Sequence, residues 1–85
     1  MQVDIQLFGS LRGVEPGDRL RLDITGATVA DARQALMAHA GNHWPAAQSA
    51  ILPSCAFASS TTMLRDAMPL PEAGGLVVLP PVNGG

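Results

Sequence analysis

The chain has 85 residues, of which 47% are hydrophobic and 14% charged, and its formal net charge is -2 at pH 7. This length is enough for one hydrophobic core and too short for two, so the sequence predicts a single domain. All five basic residues are arginines spread thinly along the chain, which leaves no basic stripe for nucleic acid and no lysine for Schiff-base chemistry.

The one cysteine, Cys55, excludes an internal disulfide. No charged segment followed by a long apolar run opens the chain, and the longest uncharged stretch, residues 41–64, is interrupted by prolines and polar residues. We therefore expect a cytoplasmic protein that has no membrane partner.

Two stretches of alternating apolar and polar residues begin the chain. Val3, Ile5 and Leu7 alternate with polar residues and predict a first strand from Gln2 to Phe8 with one face buried. A second alternation predicts a strand from Arg19 to Ile24, paired with the first as a hairpin.

The first helix has a recognisable start. Thr28 is followed three residues later by Asp31, an acidic variant of the capping box, so the helix should begin at Val29. Gly41 should end it in the left-handed conformation. The apolar seam that packs on the sheet is formed by Val29, Ala32, Leu36 and Ala40.

The rest of the chain is less regular. A short helix is predicted from Ala46 to Leu52, a third strand from Ser54 to Ala58 and a loop from Leu64 to Leu70. The continuous apolar run from Leu76 to Leu79 predicts a last strand in the centre of the sheet. This order of elements predicts an α+β domain in which one main helix lies across a mixed sheet.

Two prolines follow the last strand directly. Pro80 and Pro81 cannot donate to a ladder, so residues 80–85 should leave the body, residues 1–79, as an extended tail. Six extended residues reach roughly 20 Å.

Three segments carry a resemblance to a known family. The residues Leu7-Phe8-Gly9-Ser10-Leu11-Arg12, the capped helix from Thr28 and the ending Leu79-Pro80-Pro81-Val82-Asn83-Gly84-Gly85 resemble the small subunit of molybdopterin synthase. The likeness covers nearly the whole length, and the Pro-Pro-Val-x-Gly-Gly ending is its most specific part. It implies the β-grasp, ubiquitin-like fold.

The resemblance also implies a function without catalysis by this chain. In that family an activating enzyme of the ubiquitin-activating type uses ATP to adenylate the terminal glycine, and a sulfurtransferase supplies the sulfur of a thiocarboxylate. The large subunit of molybdopterin synthase, in a heterotetramer, then transfers sulfur to cyclic pyranopterin monophosphate during molybdenum cofactor biosynthesis. No bound cofactor or metal is expected in the carrier.

Site residues follow from this resemblance and from strand parity. Gly85 should carry the adenylate and then the thiocarboxylate, and the residues that thread into a partner should be Pro80, Pro81, Val82, Asn83 and Gly84. Phe8 falls on the polar face of the first strand, which predicts an exposed aromatic that contacts a partner. Leu11 is a weaker candidate for the same interface.

The other side chains that could act as a nucleophile, a metal ligand or a partner contact are interpreted as structural or solvated. Cys55 lies in an apolar context typical of a buried thiol. His39 and His43 have helical spacing but no third ligand, which favours a solvated helix end over a metal site. Trp44 should anchor the helix end by packing, and a lone Arg12 should be solvated.

Two other functions stay open at this point. One is a sulfur carrier for thiamine thiazole or another thio-cofactor, which shares the fold and the activation chemistry. The other is a non-covalent ubiquitin-like interaction module in which the Gly-Gly end is unused.

Overall fold

The computed structural model describes residues 1–81, and Val82, Asn83, Gly84 and Gly85 lie outside the described part. The strands are β1 (Gln2–Leu7), β2 (Arg19–Asp23), β3 (Ala56–Ala58), β4 (Met63–Leu64) and β5 (Gly75–Leu79). The α-helices are α1 (Val29–His43) and α2 (Ala46–Ala50), and short 3-10 helices lie at Gly9–Leu11, Pro16–Asp18 and Leu52–Ser54.

The five strands form one mixed sheet in the order β2-β1-β5-β3-β4. β1 pairs antiparallel with β2 and parallel with β5, and β3 pairs antiparallel with both β5 and β4. The predicted hairpin and the central position of the last strand are therefore confirmed. So is the α+β architecture with a single main helix.

The core lies between the sheet and one face of α1. Alternate residues of β1 and β5 point into it, and the predicted seam of α1 fills the other side, in agreement with the sequence periodicity. The strand and helix residues that are at most 2% exposed include Val3, Ile5, Leu7, Leu76, Val78, Val29, Ala32, Leu36 and Ala40.

The capping box at the start of α1 is confirmed. The Asp31 backbone N–H donates to Thr28 Oγ1 at 3.3 Å, and the Thr28 backbone N–H donates to Asp31 Oδ2 at 3.1 Å. The bonds from the Thr28 backbone and hydroxyl, with that from the Ala27 backbone, lower the pKa of the Asp31 carboxyl.

The predicted end of α1 was wrong. Gly41 lies inside the helix without a positive φ, and α1 continues to His43 with Trp44 as the C-terminal cap. Trp44 has extended backbone angles, and its N–H donates to the Ala40 carbonyl at 2.8 Å. Pro45 disfavours a helical residue before it, so the proline ends the helix.

Several strand boundaries also differ from the prediction. β1 stops at Leu7 because Gly9, with a φ of 61°, turns the chain into a 3-10 helix. β2 ends at Asp23, and β3 begins only at Ala56 because the residues before it form a 3-10 turn. The two-residue strand β4 was missed because so short an edge has no recognisable alternation.

The predicted short helix after Pro45 exists but ends at Ala50, and a 3-10 turn takes over at Leu52. Within residues 1–81, no helix has the length and apolar character needed to cross a membrane.

Candidate functional site

The candidate site is the place where the chain leaves the sheet after β5. Leu7 of β1 lies beside Val78, and Ala56 of β3 lies beside Leu79. Because β1 is parallel and β3 antiparallel to β5, the end of β1 and the start of β3 flank the end of β5. We call this region the tail root, formed by Phe8–Arg12, Leu52–Cys55 and Pro80–Pro81. Pro80 is half-buried there and Pro81 is exposed.

One wall of the tail root is the 3-10 helix Gly9–Leu11. The Leu11 N–H donates to the Phe8 carbonyl at 3.2 Å, and the Arg12 N–H donates to the Gly9 carbonyl at 3.1 Å. Pro80 packs over Gly9, since a Cβ built on Gly9 would lie 3.1 Å from Pro80 Cγ. These contacts fix the wall against Pro80.

The two predicted partner contacts in this wall have different outcomes. Leu11 is fully buried, so its prediction as a surface contact is corrected: the 3-10 turn swings its side chain into the core. Phe8 is half-buried, less exposed than its parity in a longer strand indicated. Its role as a partner contact stays a prediction. Arg12 is exposed at the same wall, as expected.

The opposite wall contains the only thiol. Cys55 is 3% exposed, and its Sγ–H donates to the Ile51 carbonyl at 3.3 Å. Burial raises the pKa of the Cys55 thiol, against a smaller opposing effect of Arg33. A buried, protonated thiol is a poor nucleophile, which agrees with the structural interpretation of this residue.

Arg33 holds this wall in place and was not singled out from the sequence. Its Nη1 donates to the carbonyls of Leu52 and Cys55, both at 2.8 Å, and its Nη2 and Nε donate to Asp66 at 2.9 and 3.2 Å. The guanidinium also lies over the Phe57 ring, 4.6 Å from its centroid. One side chain of α1 thus ties together the turn before β3, the loop after β4 and the core.

A second polar cluster lies at the other end of α1. Glu15 Oε2 accepts hydrogen bonds from Trp44 Nε1 and His39 Nε2, both at 2.8 Å. Burial acts to raise the pKa of the Glu15 carboxyl, but the bonds from Trp44 and His39 outweigh it, so this pKa lies below its usual value. Nothing in the local sequence pairs Glu15 with residues so far along the chain.

This cluster corrects the prediction of a solvated helix end. His39 is half-buried and bonded to Glu15, while the exposed His43 stacks on it with ring centroids 4.5 Å apart. The predicted packing of Trp44 is confirmed by its 7% exposure. Among residues 1–81, no group of three or more His, Cys, Asp or Glu side chains has the arrangement of a metal site.

The outer face of the sheet, opposite α1, carries an open groove of about 530 Å³. Its lining includes Asp4, Gln6, Arg21 and Val77. An exposed ion pair crosses its floor, with Arg21 Nε donating to Asp4 Oδ1 at 2.8 Å. The groove lies along Gly75–Val77 of β5 and therefore stops short of the tail root.

The residues assigned to covalent chemistry from the sequence lie beyond the described part. Of the six threading and carrier positions, Pro80 and Pro81 are described, whereas Val82, Asn83, Gly84 and Gly85 lie outside residues 1–81.

Two solved structures resemble the chain over its full length and theirs. SAMP1 from Haloferax volcanii is 27% identical with a TM-score of 0.70. A chain from the protein–protein complex of subunits 1 and 2 of molybdopterin-converting factor from Helicobacter pylori 26695 is 21% identical with a TM-score of 0.60. No protein-family model matches the chain, and no curated protein matches it.

These neighbours confirm that the chain has the β-grasp, ubiquitin-like fold. The resemblance to the small subunit of molybdopterin synthase is confirmed at the level of the fold. Both neighbours are small β-grasp proteins, and one comes from the molybdopterin-converting factor.

Proposed function

We propose that this chain is a sulfur carrier whose working group is the α-carboxylate of Gly85. The observation that carries the proposal is the tail root. The central strand of a β-grasp sheet delivers the chain to Pro80, where two prolines separate the Gly-Gly end from a firmly packed body.

Glycine suits a group that must enter and leave narrow active sites. Without a Cβ, Gly84 and Gly85 allow close backbone approach by a partner, whereas any side chain there would clash in a tight channel. The two prolines upstream restrict the tail and lower the entropy that is lost when it threads into a partner.

The proposed chemistry replaces one carboxylate oxygen by sulfur. A carboxylate oxygen of Gly85 attacks the α-phosphorus of ATP, and pyrophosphate leaves. Sulfide, free or delivered by a sulfurtransferase, then attacks the acyl carbon of the adenylate, and AMP departs with that oxygen. The product is a thiocarboxylate, formed without oxidation or reduction when the sulfur arrives as sulfide.

The catalysis in this proposal belongs to the activating enzyme. In the described part of the chain, the thiol of Cys55 is buried and the carboxylate of Glu15 already accepts two hydrogen bonds. Both groups take part in the packing of the body. This supports a role in which the partner enzyme performs the catalysis and this chain is its substrate.

The finer assignment is the small subunit of molybdopterin synthase, which donates sulfur to cyclic pyranopterin monophosphate. It is supported by the Pro80–Gly85 ending and by the Helicobacter pylori neighbour, which was solved in a complex of two subunits of molybdopterin-converting factor. The large subunit of that enzyme is therefore the proposed partner, with the half-buried Phe8 of the tail root as a contact.

Mass spectrometry of the intact protein tests the carrier function. The chain is incubated with ATP, sulfide and an activating enzyme of the ubiquitin-activating type. We expect a gain equal to the mass difference between one sulfur and one oxygen atom, located on Gly85. A Gly84→Leu variant should stay folded and fail to gain this mass, whereas Ala73→Leu places the same leucine side chain at an exposed loop position and should be charged normally.

The activating enzyme is first shown to charge its own carrier. If the mass of the wild-type chain then stays unchanged, the carrier function is refuted, and the non-covalent interaction module is the remaining function. The pathway is tested separately by offering the charged chain to a molybdopterin synthase large subunit and to a thiazole synthase. Consumption of the thiocarboxylate by the thiazole synthase alone would decide for the other cofactor.

A further inference from the structure

Pro80, the first residue after β5, packs against Gly9. A Cβ added to Gly9 would lie 3.1 Å from Pro80 Cγ, 3.4 Å from Cδ and 4.0 Å from Cβ. The proline ring therefore covers the place where any other residue would carry its side chain. The first of these distances is too short for an ordinary contact, so one of the two groups would have to move.

Two features of Gly9 require glycine, and they can be separated. Its φ of 61° is left-handed, a conformation that costs free energy for a residue with a Cβ. Gly13 is also left-handed, with a φ of 92°, but a Cβ built there has no atom within 4 Å. Substitution of Gly13 thus causes backbone strain alone, whereas substitution of Gly9 causes strain and a close contact that requires a shift of a few tenths of an ångström at Pro80.

This close contact bears on the direction in which the chain continues after Pro80. The φ of a proline is fixed near -65°, so displacement of its ring reorients the backbone that follows. A fully extended peptide of five residues spans about 17 Å, so a tilt of about 10° at its base would move its far end by about 3 Å. A smaller fraction of chains would then point toward the entrance of a partner, which lowers the apparent affinity of the partner for the chain.

We infer that Gly9 is a positioning residue for the tail: its bare Cα seats the Pro80 ring and sets the direction in which the chain leaves the sheet. The inference rests on the proposed function for its consequence, delivery of Gly85 to an activating enzyme. The seat is formed because β1 and β5 are parallel, which brings the residues after both strands to the same edge of the sheet.

The experiment compares Gly9→Ala with Gly13→Ala. Both variants should have a lower Tm than the wild type, because each alanine occupies a left-handed position, and Gly9→Ala should lose more because its methyl group also meets Pro80. The Cα–Hα residual dipolar couplings of Pro80 and Pro81, which report their orientation relative to the sheet, should change only in Gly9→Ala. In activation assays the KM of the enzyme for Gly9→Ala should rise about fivefold to tenfold with kcat kept, because a smaller fraction of tails points productively.

A rescue variant distinguishes the contact between Gly9 and Pro80 from a general effect of the Gly9 substitution on the 3-10 helix. Pro80→Ala removes Cγ and Cδ and leaves a Cβ at an ordinary 4.0 Å from the added methyl group. Gly9→Ala introduced into the Pro80→Ala chain should therefore cause no further rise in KM. The pair should be non-additive, as expected for residues in direct contact.

Each result decides the inference. Unchanged couplings in Gly9→Ala, an equal rise in KM for Gly13→Ala, or an undiminished effect of Gly9→Ala in the Pro80→Ala chain would overturn it. Changed couplings without a change in KM would also overturn it, because the seat would then not serve delivery. If the wild-type chain is not charged at all, the carrier function fails, and the couplings still decide whether Gly9 directs the tail.

Discussion

Replacing Glu15 by glutamine should destabilise the protein at neutral pH and much less in acid. Glu15 Oε2 accepts bonds from Trp44 Nε1 and His39 Nε2, and the Glu15 side chain is only 15% exposed. Glutamine has nearly the same shape and keeps one acceptor oxygen. The substitution therefore removes the charge and preserves most of the packing.

The magnitude follows from the two bonds. A hydrogen bond to a charged group contributes about 1.5–3 kcal/mol and a neutral one about 0.5–1.5 kcal/mol. Two bonds that become neutral should thus lower the free energy of unfolding by about 2–3 kcal/mol, and because the buried charge is also removed, part of this is offset, which leaves about 1–2 kcal/mol. In a domain of 60–100 residues, each kcal/mol corresponds to about 4–8 °C in Tm.

The pH dependence has a definite sign. The pKa of Glu15 in the folded protein lies below its usual value of 4.5. A carboxyl whose folded pKa is lowered stabilises the protein above its unfolded pKa, and this contribution is lost as the pH falls through the folded value. The difference between wild type and Glu15→Gln should therefore be full at pH 7 and shrink as the pH falls from about 4.5.

Urea unfolding followed by the fluorescence of Trp44, the single tryptophan, measures both quantities. Glu72→Gln makes the same substitution at an exposed site and should change the free energy of unfolding by less than about 0.5 kcal/mol. A Glu15→Gln variant as stable as Glu72→Gln at pH 7, or a deficit that stays constant down to pH 3, would refute the role assigned to this carboxylate.

Two further predictions concern the wall of the tail root around Cys55. Arg33→Met should lower the free energy of unfolding by about 2 kcal/mol, because two carbonyls lose a charged donor, whereas Arg65→Met at an exposed position should have little effect. Equal stability of the two variants in urea unfolding would contradict the bridging role of Arg33. Alkylation of Cys55 by iodoacetamide at pH 8 should be at least about tenfold slower than that of a cysteine placed at the exposed Ser54 in a Cys55→Ala chain. Comparable rates in the native proteins would show that the thiol is accessible.

Local patterns predicted most of the secondary structure. The alternation in β1 and β2, the capping box at Thr28 and the seam of α1 depend on neighbours within a few residues, so they can be recognised in the sequence. The end of α1 was misjudged because two local signals compete there. Gly41 permits a stop, but Pro45 enforces one.

The candidate site could be predicted only in part. The prolines after Leu79 and the Gly-Gly ending are visible in the sequence, and they predict a tail that begins at Pro80. The orientation of Leu11 is not visible, because a left-handed Gly9 breaks the strand periodicity and turns that side chain into the core.

The sequence by itself determined four of the five described strands and the main helix, because side-chain periodicity and capping are properties of neighbouring residues. Only the tertiary structure decided that Gly9 seats Pro80, that Glu15 joins His39 and Trp44, and that Arg33 binds the turn before β3. Each of these contacts joins segments distant along the chain. Their proximity depends on the order and direction of the strands, which the packing of the whole core selects.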